Sequence, residues 1–501
     1  MKQRYLQWLF AAVSVAFVYA NAQSTVTVAV PEGPPGFDPQ NNNRAVASGI
    51  YINIFDYLIF KDANGDFQPA LATAWEPLTD TQWRVELRQG VLWHDGAPFT
   101  AADVEFTFER VANDPLLVRH SYYEGITDVE VVNDHEVVFH TAAPDPTFLS
   151  ALSRNGASVI PRHYYEAVGV EKASLEPIGT GPYRFVEYRT DDRLILEAFD
   201  GYWGGRPEFD RAVFRVIPES STAVSELVTG GVDIVTSVRV SEVARVEASG
   251  SARIERVGSN STQYITFNVS EGQVTADALV RAAVDYAVDD SLLAEVLTDG
   301  AGVPVRARVS PETSFSPAGL YDAYLYDVER ARELLAEAGY AAGDLTITLM
   351  GNTGHADVAD LVAAMLAEVG IGTNIELFES SVWNSKYWQP GDFTNVAFGA
   401  SSDSSFDYGN SLIDLTCPDG VHARRSHWCN EEYTELVDAA NTEFDAAQRA
   451  ELLREATDIL LDERPQYYLY SNATFVGVSN RLSFTPRADS LIVLAETTAA
   501  H

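Results

Sequence analysis

The segment "IGTGPYRF" (Ile178 to Phe185) raises the first question about the fold, because its Gly-x-Gly could either bind a phosphate or lead into a strand. A phosphate loop needs a strand before the glycines and a helix after them, so that the helix N-terminus faces the anion. Here Tyr183 to Tyr188 alternate with nearly period two, which predicts a strand instead. Pro182 lacks an N–H and presets its φ, which suits a turn that enters a strand. Nucleotide binding by this loop is therefore not predicted.

Strands and helices alternate on both sides of this segment. A strand is predicted from Thr25 to Val30, followed by a loop rich in Pro, Gly and Asn and by a helix from Ala45 to about Leu58. Thr100 and Asp103 form a Thr-x-x-Asp cap at the start of another helix, and the nearby His94 is expected to be structural or exposed and not a ligand. This mixed order predicts α/β domains, and 501 residues predict two or three of them.

Composition and charge exclude some function classes. Hydrophobic residues make up 46% of the chain, which excludes wholesale disorder. The formal charge is −38, and nucleic acid is excluded as a partner because phosphate contacts need a clustered excess of Lys and Arg. Because the acidic residues are scattered along the chain, they favour a role in solubility over cation binding.

The N-terminus has the features of an export signal. Lys2 and Arg4 precede an apolar run from Trp8 to Tyr19, and Ala20-Asn21-Ala22 is a small-x-small cleavage site before Gln23. The run is shorter than the roughly 20 apolar residues of a membrane anchor. No cysteine follows it, so a lipid-modified N-terminus is not supported. We therefore expect cleavage of residues 1–22 and a soluble periplasmic protein.

The chain has two cysteines, Cys417 and Cys429. In an exported protein, two nearby cysteines most simply form one disulfide. Zinc is the alternative, because His422 and His427 lie between them. The spacing lacks a short Cys-x-x-Cys pair and the compartment is oxidising, so the disulfide is favoured.

Five blocks together resemble the solute-binding components of peptide-class ABC importers, a family that includes dipeptide-, oligopeptide- and nickel-binding proteins. The blocks are "LWHDGAPFTAADVEFTFERV" (92–111), "PIGTGPYRFVEY" (177–188), "YWGGRPEFDRAVFRVI" (202–217), "VRAAVDYAVDDSLL" (280–293) and "DVERARELLAEAGY" (327–340). The resemblance implies an α/β fold of the periplasmic-binding-protein type II, with two lobes, a hinge and an extra inserted domain. By analogy the first lobe comprises 23–57, 179–266 and 474–501, the inserted domain 58–178, and the second lobe 267–473, with hinge strands at 264–268 and 468–473.

The resemblance also suggests ligand-binding residues in two loops. "EGPPGFDPQNNN" (32–43) resembles the first-lobe loop of dipeptide binders, in which the position of Asn43 lines the pocket. "GASSDSSFDYGNSL" (399–412) resembles the second-lobe loop in which an aspartate, matching Asp407, pairs with the peptide α-ammonium. Ser401, Ser402 and Asp403 in this loop are further candidates.

The sequence departs from dipeptide binders where these supply an arginine for the peptide carboxylate. The matching loop, "MGNTGHADVAD" (350–360), has no Arg or Lys and offers Asn352 and His355 as candidates. A buried carboxylate without a cation costs several kcal/mol, so Lys386 or Arg44 must substitute, or the ligand is a longer peptide or uncharged.

An aromatic segment supplies the last candidates. Trp383 and Asn384, with Tyr387 and Trp388, fit a peptide side-chain pocket, stacking on sugar rings or ordinary packing of a helix face.

The function implied is that of a transport receptor without catalysis, cofactor or resident metal. It captures a peptide and delivers it to the permease and ATPase subunits of an ABC importer, as a monomer. An oligosaccharide is the alternative ligand, because sugar-binding members exist and the carboxylate-binding arginine is missing. A metal chelate is a third candidate ligand, supported only by His355, and a single histidine is a weak ligand set. No Gly-x-Ser-x-Gly, His-Glu-x-x-His or Ser-x-x-Lys motif supports an enzyme.

Overall fold

The computed structural model describes residues 24–62, 66–311, 313, 315–316, 319, 325–387, 392–402 and 407–500, with the side chains of Asn260 and Ser402 left out. The predicted signal (1–22), Asp403 and Trp388 lie outside the described residues, and for Ser402 only the backbone is described.

The strands found in these ranges are β1 (Thr25–Val30), β2 (Ile59–Lys61), β3 (Phe67–Pro69), β4 (Ala72–Thr79), β5 (Gln82–Leu87), β6 (Ile126–Asn133), β7 (Glu136–Thr141), β8 (Tyr183–Arg189), β9 (Arg193–Ala198), β10 (Arg211–Val216), β11 (Ile234–Val235), β12 (Ala252–Phe267), β13 (Thr346–Asn352), β14 (Gly372–Phe378), β15 (Val396–Ser402), β16 (Gln466–Ser479), β17 (Leu482–Ser483) and β18 (Thr498–Ala499).

The helices are α1 (Ala45–Tyr51), α2 (Ala101–Asn113), α3 (Phe148–Leu152), α4 (Arg162–Val168), α5 (Val170–Leu175), α6 (Ser220–Thr229), α7 (Val240–Glu247), α8 (Ala278–Ala287), α9 (Asp290–Leu297), α10 (Val328–Glu337), α11 (Ala356–Glu368), α12 (Ser380–Tyr387), α13 (Tyr408–Leu412), α14 (Val421–Ser426), α15 (Glu431–Ala440) and α16 (Ala446–Glu463). Mixed strands and helices confirm the predicted α/β class.

Ten strands form one sheet in the order β14-β13-β15-β12-β16-β11-β1-β10-β9-β8. Its two central strands, β12 and β16, are antiparallel and long, and they pair from Ala252↔Ser479 to Thr266↔Gln466. β1, β10 and β11 lie on one side of this pair and β13, β14 and β15 on the other. The described chain therefore passes from one half of the sheet to the other along β12 and returns along β16.

The central pair is interrupted halfway along its length. Gly258 pairs with Ala473 and Thr262 with Ser471, so three residues of β12 face one residue of β16 in a bulge. Separate hydrophobic cores lie on the two sides of this bulge: Ile265 and Leu469 belong to one core. Val476 and Val478 belong to another. The division into two packed halves at the bulge agrees with the expected two-lobe arrangement.

A second sheet, in the order β4-β5-β7-β6, has a core of its own. Helix α2 packs on it, with Val104, Phe108 and Val111 fully buried. The predicted Thr100–Asp103 capping box starts this helix and is confirmed. The bounds of the inserted domain, 58–178, and of the two lobes stay predictions.

The Gly-x-Gly segment lies directly on the backbone that follows α1. The N–H of Gly181 donates to Ile54 O at 2.9 Å and the N–H of Tyr183 to Asn53 O at 2.9 Å. A Cβ on Gly179 would lie 1.8 Å from Ile54 O, which explains why glycine stands there. The predicted helix from Ala45 to Leu58 ends at Tyr51 because these carbonyls accept hydrogen bonds from the junction instead of continuing the helix.

The imidazole ring of His94 binds the same junction through two hydrogen bonds. Its Nδ1 accepts the N–H of Gly179 at 3.1 Å, and its Nε2 donates to Gly181 O at 3.0 Å. Both bonds require the neutral ring with its proton on Nε2, and burial lowers the pKa of His94 to about 4. The Gly-x-Gly segment is therefore a structural junction and not a phosphate loop, in agreement with the strand predicted after it.

We expect Gly179→Ala to lower the free energy of unfolding by about 1–3 kcal/mol or more, because its methyl group has no room against Ile54. Gly125→Ala is the matched control, since no atom lies within 4 Å of its added Cβ. Urea unfolding measures both. Equal unfolding midpoints for the two variants would contradict the close approach.

A pH dependence follows from His94. Its folded pKa of about 4 lies below the ordinary value of 6.5, so its contribution to stability is present above pH 6.5 and is lost as the pH falls towards 4. We expect the melting temperature to fall less steeply over this window in His94→Gln, which has an amide acceptor and donor but does not titrate. Comparing the variant with the wild type cancels the opposite dependence of Asp56, whose pKa burial raises to about 6. If the melting temperatures of the variant and the wild type fall equally steeply with pH, the assignment of this pH dependence to His94 is wrong.

Candidate solute-binding cleft

The carboxyl ends of strands from both halves of the main sheet converge on the bulge. Strand β1 runs parallel to β11, which is antiparallel to β16, so β1 ends at Val30 next to the middle of the sheet. On the other side β15 is antiparallel to β12, with Ser402 opposite Ser261, so it ends at the same place. Strand β13 runs parallel to β15. The carboxyl ends of β1, β11, β13 and β15 therefore face one another, which is where open α/β sheets bind ligands.

The loop after β1 forms part of one wall of the proposed cleft, called the first wall. Two arginines bind this loop on the side away from the cleft. Arg110 on α2 donates to Asp38 at 2.6 and 3.1 Å, and Arg119 donates to Asn42 O at 2.8 Å. Asn43 follows these anchored residues and is exposed. Its backbone position is thus fixed while its side chain faces solvent.

The loop after β13 forms part of the opposite wall of the cleft, called the second wall. Its polar side chains form hydrogen bonds with backbone groups of the same loop. Asn352 Oδ1 accepts the N–H of Gly354 at 2.8 Å, and His355 Nδ1 accepts the N–H of Asn352 at 3.0 Å. The His355 ring stacks on Phe398, with 5.7 Å between centroids, and burial lowers its pKa. These two residues start α11, and His355 is neutral near pH 7.

Trp383 packs inside the protein. Its ring stacks on Tyr387 at 5.1 Å and on Phe378 at 6.4 Å, and 3% of the residue is exposed. Asn384, the next residue on α12, is exposed. The tryptophan therefore has the packing role that the sequence left open, and it offers no free ring face for a sugar.

Asp407 has a strong partner within the protein. Its two carboxylate oxygens each accept a hydrogen bond of 2.7 Å from the guanidinium of Arg449 on α16. It also caps α13 by accepting the N–H of Asn410, and 4% of the residue is exposed. An incoming ammonium group would have to share or displace the guanidinium. The ligand role of Asp407 stays a prediction beside this structural one.

Arg308 connects β15 and α13 to β16. Its guanidinium donates to Ser411 O at 2.8 Å, to Gln466 Oε1 at 2.8 Å and to Asp414 at 2.7 Å. Its backbone carbonyl accepts the hydroxyl of Ser401 at 2.6 Å. Ser401 and Ser411, which lie on either side of residues 403–406, are therefore both bound to one buried arginine that no sequence motif indicated.

A buried polar network lies next to Arg308 and joins side chains of β12, β16, α12 and α14. The hydroxyls of Tyr264 and Tyr387 are 3.0 Å apart, and His422 Nδ1 lies 3.1 Å from the amide of Gln466. Burial, Arg308 and Arg425 together hold the pKa of His422 well below its ordinary value, so this histidine is neutral. The sequence suggested His422 only as a zinc ligand, because no local pattern around the short helix α14 indicates that a polar residue there joins a buried network.

Cys417 and Cys429 form the predicted disulfide, which is confirmed. Their sulfurs are bonded to each other, so the zinc alternative loses its two thiolates. Across the described ranges no group of three or more His, Cys, Asp or Glu side chains is placed to hold a metal ion. The same residues include no helix that is long and apolar enough to cross a membrane.

The two cations offered as substitutes for the missing arginine both have carboxylate partners. Arg44 donates to Glu32 at 2.8 Å. Lys386 Nζ lies 3.8 Å from Asp392. Both pairs are partly exposed, so water screens them and a ligand carboxylate could compete for either cation.

The Asp407–Arg449 pair predicts a stability effect. We expect Asp407→Asn to lower the free energy of unfolding by about 3–5 kcal/mol, because it leaves a buried guanidinium without its counter-charge. The control is Asp458→Asn, which removes a partner of exposed Arg454 on the same helix and should leave the melting temperature unchanged. Thermal unfolding of both variants measures whether only Asp407→Asn lowers the stability. A stable Asp407→Asn protein would mean that the pair is not structural.

Comparison with known proteins places the chain among solute binders. Residues 66–420 match the family described as bacterial extracellular solute-binding proteins, family 5 Middle. The dipeptide-binding protein of Escherichia coli is 28% identical over 92% of each chain. Heme-binding protein A of Haemophilus influenzae is 27% identical over 93% of this chain and 89% of that protein. The structure of the ABC transporter substrate-binding protein CtaP of Listeria monocytogenes superposes with a TM-score of 0.86 at 21% identity, covering 95% of this chain and 99% of CtaP. The type II two-lobe fold is thereby confirmed.

Proposed function

This chain belongs to the bacterial extracellular solute-binding proteins of family 5, and we propose from this premise that it captures peptides outside the cytoplasmic membrane for an ABC importer. It delivers them to the permease and ATPase subunits as a monomer that catalyses no reaction. The predicted signal of residues 1–22, a periplasmic location and the lobe and inserted-domain bounds given above belong to the same proposal.

The observation that carries this proposal is the convergence of loops from two separately packed halves on the bulge of β12 and β16. A ligand that contacts loops on both sides is stabilised only when the halves close, so binding and closure are coupled. The β12 bulge, with Asn472 donating to Ser261 at 3.1 Å, is the place where the two strands can bend. A receptor needs this coupling, because the permease must distinguish loaded protein from empty protein.

A peptide is the ligand that we favour. A cleft at the ends of strands suits an extended peptide, because a peptide backbone can pair with main-chain groups there. The E. coli relative is named for dipeptides, although another relative is named for heme, so family membership alone does not fix the ligand. Buried Trp383 offers no face to an oligosaccharide, and His355 already accepts a backbone N–H, which weakens the chelate alternative.

The peptide α-ammonium is recognised, in this proposal, by a carboxylate of the loop 399–412. The sequence offers Asp407 and Asp403. Because Arg449 already donates to both oxygens of Asp407, we propose Asp403 as the amine partner. Asp407 then acts indirectly, by fixing the end of the loop. A charge-assisted hydrogen bond of this kind stabilises a complex by about 1.5–3 kcal/mol.

Calorimetry with a panel of di- to pentapeptides and their N-acetylated forms tests the proposal. We expect acetylation to weaken binding by about 10-fold to 100-fold, since it removes the ammonium charge. Asp403→Asn should reproduce this loss with free peptides and show no further loss with acetylated ones. Asp407→Asn, measured well below its melting temperature, should have the smaller effect.

Three results separate the alternatives. If Asp407→Asn matches acetylation, Asp407 itself pairs with the amine and the exchange with Arg449 is real. If acetylation and both variants leave the affinity unchanged, amine recognition by this loop is wrong. If no peptide binds while mass spectrometry of the purified protein identifies a bound solute of another class, the peptide assignment is wrong and the transport role remains. Recovery of a chemically altered peptide would contradict the absence of catalysis.

A further inference from the structure

A cavity of about 260 Å³ opens in the first half of the molecule beside the cleft. Pro31, which follows β1, and Thr236 and Ser237, which follow β11, line its rim. Because β1 and β11 both end towards the bulge, these residues place part of the cavity lining at the end of the sheet that faces the proposed cleft. None of the residues assigned to the peptide backbone or ammonium group belongs to it.

The wall of this cavity is predominantly apolar. Val46 on α1, Val476 on β16, and Phe484, Leu491 and Ile492 of the C-terminal segment supply its surface. Two polar groups at its edge already have partners within the protein. Thr236 donates its hydroxyl to Ala29 O, and Arg487 donates to Lys61 O and to Asp489. The lining therefore favours an apolar group over a charged one.

The C-terminal wall is rigidly held, so the cavity is preformed. Asn53 donates to Ile492 O at 2.8 Å and accepts the N–H of Leu494 at 3.1 Å. A Cβ on Gly49 would lie 2.7 Å from Ser490 O, which shows how closely α1 and this segment approach. Ser490 has a φ of 61°, a left-handed conformation that is unfavourable for serine and is maintained by its surroundings.

We propose that this cavity binds one large apolar side chain, of the size of leucine or phenylalanine, of the captured peptide. The inference rests on the proposed function, because it gives the peptide its side-chain specificity. The volume supports it: an apolar cavity of about 150 Å³ is large enough for benzene, so this one can hold an aromatic ring with room for its attachment to a backbone. The side chain enters from the cleft while the backbone stays between the two walls.

Two variants fill the cavity from opposite sides. Ala45→Trp starts from the first residue of α1, and Ser237→Trp starts from the loop after β11; both residues are exposed at the mouth. Ala278→Trp is the matched control, because Ala278 is also an exposed alanine at the first position of a helix and does not line the cavity. Circular dichroism confirms that each variant is folded before binding is measured.

The first measurement compares peptides that differ at one position, with Phe or Leu in place of Ala. We expect the wild type and Ala278→Trp to bind the larger peptide about 10-fold to 100-fold more tightly. Either cavity variant should lose this preference and keep its affinity for the alanine peptide within about 3-fold. A preference that survives in both cavity variants, or a wild type without any preference, would overturn the proposal.

The second measurement does not depend on peptide binding and so separates failure of the cavity from failure of the proposed function. Saturation-transfer NMR with 4-fluorotoluene should show transfer from the wild type and Ala278→Trp and a loss of transfer in both cavity variants. If this pattern appears while no peptide binds, the cavity is an apolar subsite of a receptor for another solute, and its assignment to a peptide side chain is wrong. Equal transfer in all four proteins would refute the cavity as a binding site.

Discussion

The antiparallel pairing of β12 with β16 is the interaction on which the arrangement of the site depends. The two strands hold both halves of the sheet in register, and every other strand takes its direction from them. Because β1, β11, β13 and β15 all end towards the same interruption, these strand ends of both halves are brought together by strand direction alone. The bulge between Gly258 and Thr262 removes ladder bonds at this point, so the sheet is least constrained where closure requires bending.

Local patterns were sufficient to predict much of the fold. The strand Thr25–Val30, the Thr100–Asp103 cap and the Cys417–Cys429 disulfide are encoded by residues close together in sequence, and all three are present. The end of α1 was predicted seven residues too late, because it depends on hydrogen bonds from Gly181 and Tyr183. Those partners are more than a hundred residues away, and no periodicity reveals them.

The site was harder to predict for the same reason. Asp407 was singled out from its place in a loop, yet the arginine that holds it lies 42 residues further along, on α16. Arg308 binds Ser401 on β15 and Ser411 on α13 but belongs to no local motif. His355 and Trp383 have the residue types of ligand contacts and are used for capping and stacking. Much of the described polar chemistry near the cleft thus positions secondary-structure elements and has no direct counterpart in a local ligand-binding motif.

The central claim is that the two halves close around a solute, and small-angle X-ray scattering tests it most directly. The tightest-binding peptide of the calorimetric panel is added to saturation, while circular dichroism checks that secondary structure is unchanged. We expect a smaller radius of gyration in the complex, because closure at the bulge brings the two lobes together without unfolding either. An unchanged radius of gyration at saturation would contradict closure and with it the proposed mechanism of capture.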